Sequence, residues 1–100
     1  MTPEGRVKKE IKKWLDARGA YYFMPVPTGR GKRTVDFLVC LGGSFVAIEA
    51  KAHGEETTAL QKETLREVAA AGGIAVVMFH DSKDRLVMSY IGERDFTSVL

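Results

Sequence analysis

Gly42-Gly43, flanked by Leu41 and Ser44, is the feature that most limits what this chain can build. Two glycines between two apolar, β-branched runs signal a two-residue β-hairpin, because the favoured hairpin turns require positive φ at their centre. The runs are Thr34 to Cys40 and Phe45 to Ala50. With the glycines as the turn, Leu41 pairs with Ser44, and counting back pairs Cys40 with Phe45, Leu38 with Ala47 and Asp36 with Glu49. Directly opposite residues share a face, their Cβ atoms roughly 4.5 to 5.5 Å apart. Two like charges so close destabilise a sheet unless a cation lies between them or one takes up a proton. A divalent metal is the simplest answer. Strand alternation puts Lys51 on the face of Glu49, while Val46, Ile48 and Ala50 point the other way.

An isolated Glu-x-Lys on an exposed strand is most often a solvated charge pair. Here the acids interrupt the apolar runs Val35-Asp36-Phe37-Leu38 and Ala47-Ile48-Glu49-Ala50. A charge in such a setting is costly to bury without a role. Two acids and an ammonium thus converge on one candidate site.

The helices supply further polar groups. Thr2, Pro3 and Glu4 form a helix start, with a capping hydroxyl, a proline in the first turn and an acid near the positive end of the dipole. The helix runs to about Arg18 and stops at Gly19. Val7, Ile11 and Leu15, with Trp14 beside them, form its apolar stripe, which Glu4 continues. Glu4 therefore either points into the domain or only compensates the dipole. Lys9, Lys12 and Lys13 occupy much of the opposite side. A second helix is expected from Thr58 to about Ala71, ended by Gly72-Gly73. Gln61 shares a face with Leu65 and Val68 and can look toward the sheet; Thr58-Ala59-Leu60-Gln61 equally fits a capping box. Tyr21 to Met24 reads as a strand, Ile74 to Phe79 as a central strand and Arg85 to Ile91 as an edge strand.

Charge is distributed unevenly. Residues 1 to 33 hold nine Lys or Arg against three acids, a net of +6, and residues 34 to 100 hold six against ten, a net of −4. A basic front end beside an acidic site suits a nucleic acid, although a well-solvated helix and loop explains the first part equally. Within that front end, Pro25 to Arg33 is a loop rich in breakers and cations, with Arg30, Lys32 and Arg33 placed to meet phosphates. It lacks the Walker A pattern.

One hundred residues, 45% hydrophobic and 28% charged, fit one ordered globular domain spanning 1 to 100. No apolar stretch is long enough to span a bilayer and no signal-peptide core is evident, so a cytosolic protein without a membrane partner is expected. Cys40, the lone cysteine, reads as a small buried thiol. His53 and His80 are too isolated for a histidine metal site, and His53 reads as a solvated loop residue. Zinc-site spacing and a G-x-S-x-G elbow are both missing.

The order of helix, strands, a hairpin bearing an acid and then E-x-K, a helix and further strands resembles the PD-(D/E)xK nuclease superfamily. Within it the chain is similar to the VRR-Nuc group, the virus-type replication-repair nuclease domain. The matching residues are Glu4, Asp36, Glu49-Ala50-Lys51 and Gln61, and the resemblance spans roughly residues 1 to 91. Val35 stands where the superfamily's name has proline, at a position that varies widely.

The resemblance implies an α/β, restriction-endonuclease-like αβββαβ core: a mixed sheet flanked by helices, with an additional C-terminal edge strand. It implies that Asp36 and Glu49 ligate Mg²⁺ or Mn²⁺ with the Ala50 carbonyl, and that Lys51 positions or activates the attacking water. Glu4 would take a second metal or a water of the metal, and Gln61 would support the site. Hard oxygen ligands suit both ions. The implied activity is metal-dependent hydrolysis of DNA, selective for branched structures such as four-way junctions, by a homodimer that sets two sites across the junction. Competing readings are an archaeal-type junction resolvase, a restriction-like endonuclease, a non-catalytic nucleic-acid-binding module and a small interaction protein with solvated acids.

Overall fold

Thr2 starts helix α1 (Pro3–Ala17) as the cap and Pro3 fills its first turn, the Thr2 hydroxyl accepting the Gly5 backbone N–H at 3.0 Å. The computed structural model describes residues 1–26 and 34–100. Val7, Ile11 and Leu15 on α1 are fully buried, as their spacing requires, and Gly19 turns the chain beyond the helix with φ +67°. Five strands follow: β1 (Tyr21–Phe23), β2 (Phe37–Leu41), β3 (Ser44–Lys51), β4 (Ile74–His80) and β5 (Leu86–Ile91), with helix α2 (Ala59–Ala70) between β3 and β4.

The strands form one sheet in sequence order, antiparallel except that β3 and β4 run parallel. That single parallel pair needs a crossover, and α2 provides it. The sheet is therefore mixed, with α1 on one face and α2 on the other. Val46, Ile48 and Ala50 of β3 and Ile74, Val76 and Met78 of β4 pack with the α1 stripe, while Ala47 and Ala75 pack with Leu65 of α2. Burial on both faces explains why β4 reads as a continuous apolar run.

The β2–β3 register is the one the glycine pair dictates: Leu41 with Ser44, Cys40 with Phe45, Leu38 with Ala47. Gly42 and Gly43 have φ of +58° and +79°, the positive pair that a type I′ turn needs. The ladder is shorter than the apolar run suggests, however. It ends at Phe37 and Ile48, with a bend at Asp36, so Asp36 stands one residue beyond the last pair.

Cys40 departs from expectation, because it is exposed. Its alternation is as expected, but α2 packs on β3, β4 and β5 and leaves the outer part of that face uncovered. Cys40's cross-strand neighbours there, Tyr21 and Phe45, are 80% and 50% exposed.

After β5, a 3-10 turn (Phe96–Ser98) folds back under α1. Phe96 is buried, its ring 4.8 Å from that of Trp14 and 5.7 Å from that of Tyr90. Phe96 thus joins the domain's own core, with Val99 packed against that core, whereas Leu100 is exposed. Arg94 ties the base of the fold, donating to the Gly72 carbonyl at 2.6 Å and to the Ser44 hydroxyl at 2.8 Å. Among the described residues, no helix is long and apolar enough to cross a membrane.

The hairpin glycines are not equivalent. A Cβ on Gly43 meets nothing within 4 Å, whereas one on Gly42 lies 2.8 Å from the Val99 carbonyl oxygen and 2.9 Å from its Cβ. Gly43→Ala should cost about 1–2 kcal/mol for the left-handed backbone alone. Gly42→Ala should cost a further 1–3 kcal/mol, roughly, for the overlap. Urea unfolding of the two variants tests this ordering.

Candidate active site

The site forms where β2 leaves the ladder. In a two-residue hairpin the residues flanking the turn exchange both backbone hydrogen bonds, and every second pair repeats the exchange. Leu41–Ser44, Val39–Val46 and Phe37–Ile48 are such pairs, and by the same parity Ala50 presents its N–H and C=O toward β2. No β2 backbone is paired with it there. The Ala50 N–H instead donates to Asp36 Oδ2 at 2.9 Å, and the Ala50 carbonyl leaves from the same strand edge. The bend at Asp36 thus turns a ladder residue into a site residue.

Glu49, one residue earlier on β3, projects toward α2 and is only 4% exposed. Gln61 reaches it from the first turn of α2, its Nε2 donating to Glu49 Oε1 at 3.3 Å. The same side chain closes the capping box: Gln61 Oε1 accepts the Thr58 N–H at 2.9 Å and the Thr58 hydroxyl accepts the Gln61 N–H at 3.2 Å. Both readings of Gln61 hold together, since an amide offers an acceptor and a donor at opposite ends.

Burial pushes the Glu49 carboxyl up to about 8, helped by a hydrogen bond with Asp36 and by the Asp36 charge, while Lys51 pulls it down and Glu4 adds to the rise. The Glu49 carboxyl is therefore largely protonated at neutral pH. Lys51 ends β3 and is 8% exposed.

Sequence reasoning did not find Lys8. Its Nζ lies 3.4 Å from Asp36 Oδ1 and 3.5 Å from Glu4 Oε2. Burial works against its charge, but Asp36 and Glu4 outweigh it and hold the ammonium above its ordinary value. The available signal was the Glu4–Lys8 spacing, a favourable i, i+4 pair on the helix edge that faces the sheet. Glu4 thus reaches the site through Lys8. Lys9, Lys12 and Lys13 are exposed on the outer side of the same helix, and Arg30, Lys32 and Arg33 lie outside the described residues.

The two histidines lie at the ends of neighbouring strands. His53 is exposed and its Nδ1–H donates to the His80 carbonyl at 3.0 Å, while His80 is buried and pairs through Nε2 with Glu10 of α1.

Among the described residues, no group of three or more His, Cys, Asp or Glu gathers into a ready-made metal cage. What the chain offers is two carboxylates in contact and a backbone carbonyl at their edge. Hard oxygen donors of this kind fit Mg²⁺ or Mn²⁺, with waters completing the shell.

No known sequence family matches the chain, and no curated protein matches it significantly. Solved structures do. A Holliday junction resolvase, Hjc, from the archaeal hyperthermophile Archaeoglobus fulgidus superposes with a TM-score of 0.68 at 20% identity, over 86% of this chain and 75% of that one. The fold is restriction-endonuclease-like. Identity this low speaks to the fold, a mixed five-stranded sheet between helices.

The raised Glu49 value has a consequence for stability. The folded state holds this proton above the unfolded carboxyl's 4.5, so the contribution is complete below 4.5 and is lost as pH rises through about 8. Thermal unfolding without metal should therefore weaken across that interval, and Glu49→Gln should flatten the profile. An equal slope in the variant would contradict the raised Glu49 carboxyl.

Proposed function

We propose that the protein is a metal-dependent endonuclease of the PD-(D/E)xK type, acting on branched DNA such as four-way junctions. The observation that carries this reading is the contact of Asp36 with Glu49 and the Ala50 backbone at the end of β3, with Lys51 beside it. Its restriction-endonuclease-like setting is shared with a Holliday junction resolvase. That likeness favours an archaeal-type resolvase arrangement, and the order of the motifs along the chain favours the VRR-Nuc group. Both predict the same chemistry.

In this reading Asp36, Glu49 and the Ala50 carbonyl would hold one Mg²⁺ or Mn²⁺. When bound, the ion offsets charge developing on the phosphate and lowers the pKa of its water. Lys51 orients the attacking water and adds positive charge beside the phosphate. Gln61 fixes the orientation of Glu49 through its amide N–H. The exposed Lys9, Lys12 and Lys13 grip the DNA backbone beside the site, and Arg30, Lys32 and Arg33 extend that grip.

The whole of residues 1 to 100 acts as one domain in the cytoplasm. A two-fold homodimer would present two such sites to a junction. The exposed rings of Tyr21, Phe23 and Phe45 on the uncovered part of the sheet support a contact with a second copy.

Cleavage of labelled four-way junction and linear duplex DNA with Mn²⁺ tests the function. Junction-selective cutting is expected, with Asp36→Asn and Lys51→Ala each reducing the rate by at least ~10²-fold, the scale of a lost electrostatic contact in a closed site. Metal-independent binding of junctions without cutting would favour a non-catalytic binding module instead. For the homodimer, Phe45→Glu should sediment as a monomer where the wild type sediments as a dimer.

A further inference from the structure

Glu4, Asp36 and Glu49 all face the candidate site, yet they do not form one cluster, because Lys8 divides them. Its ammonium stands 3.4 Å from Asp36 Oδ1 and 3.5 Å from Glu4 Oε2. The gap in which a cation would bridge those two carboxylates therefore already contains one. Among the described residues, no ammonium stands between Asp36 and Glu49 in the same way.

We propose that Lys8 takes the place of a second divalent cation, so that the active site binds one metal ion and uses the Lys8 ammonium as its other, fixed positive charge. The inference rests on the nuclease reading above and decides how its cationic charge is divided. Glu4 then becomes a positioning residue for Lys8 and ceases to be a candidate metal ligand.

Geometry favours this assignment. Mg²⁺ sits about 2.0–2.1 Å from its oxygens, so an ion joining Glu4 Oε2 to Asp36 Oδ1 would have to enter the gap that the ammonium fills. Lys8 is not free to swing away without loss. Its helix is anchored by the fully buried Val7 and Ile11 on either side, and Glu4 precedes it by one turn in the favourable order. Asp36 retains capacity for the proposed ion, since a carboxylate has about four lone-pair sites and Lys8 and the Ala50 N–H engage one on each oxygen.

Charge favours it too. Once a bound metal displaces the proton from Glu49, three ionised carboxylates with Lys8 and Lys51 leave a net charge of −1. One divalent ion and one phosphodiester bring the sum to zero. A second divalent ion would leave an excess of +2 in a site whose Glu49 and Lys51 are almost wholly removed from water, where uncompensated charge is costly.

The deciding measurement is the number of Mn²⁺ ions bound per chain, counted by electron paramagnetic resonance, with urea unfolding used to verify that each variant is folded. The wild type and Lys8→Arg should bind one. Lys8→Met, or Lys8→Gln should the methionine variant not fold, should bind two, and adding Glu4→Gln should return the count to one. The Mn²⁺ dependence of junction cleavage should change from first order to second order in Lys8→Met. Two ions on the wild type, or one on Lys8→Met, would overturn the proposal and leave the nuclease reading standing. No ion on the wild type would defeat the nuclease reading itself, and this inference with it.

Discussion

Glu49 lies almost entirely out of water with Asp36 against it, and two ionised carboxylates in such a place repel strongly and lose their hydration. Much of the surrounding structure answers that repulsion. Lys51 lies on the same strand face, Lys8 reaches in from α1, and the Gln61 amide and the Ala50 N–H each donate to one of the two acids. Protonation of Glu49, whose carboxyl burial pushes up to about 8, relieves what remains. In the proposed function, a divalent ion beside the Ala50 carbonyl would supply further positive charge to the two acids.

The scaffold makes that arrangement rigid. The polar groups come from α1, the bend before β2, β3 and the first turn of α2, and both helices and β3 are fixed by apolar burial. Val7 and Ile11 seat α1 so that Lys8 falls beside Asp36, and Leu65 seats α2 so that its first turn falls beside Glu49. The parallel β3–β4 pair matters most. It obliges the chain to cross the sheet after Lys51, and the crossover delivers the start of α2, with Gln61, to the end of β3 where the acids stand. Phe96 and Arg94 close the opposite end of the molecule, so the stable base and the polar site are separated along the strands.

Much of this was legible in the chain. The glycine pair fixed the hairpin register, because a two-residue turn leaves no freedom in counting the pairs. Helix stripes placed Val7, Ile11 and Leu15 inside, and the order of motifs suggested a fold that structural comparison bears out. Three residues were less legible. Asp36 bends out of its run because its carboxylate, rather than its backbone, satisfies Ala50. Cys40 is exposed because alternation gives a face but not what covers that face. Lys8 is a site residue because a long side chain on a helix edge reaches whichever strand end the packing brings near.

The sequence by itself determined the periodic and local features: which residues turn, cap, alternate and form stripes, and that two acids would lie near each other across one hairpin. These follow from backbone sterics and from spacing, which act over a few residues. Only the tertiary structure decided which charges offset those acids, that Glu49 holds a raised proton, and that Lys8 stands between Glu4 and Asp36. Those depend on burial and on distances between separate elements, and electrostatic interactions in a protein take their strength from how much water the packed chain excludes.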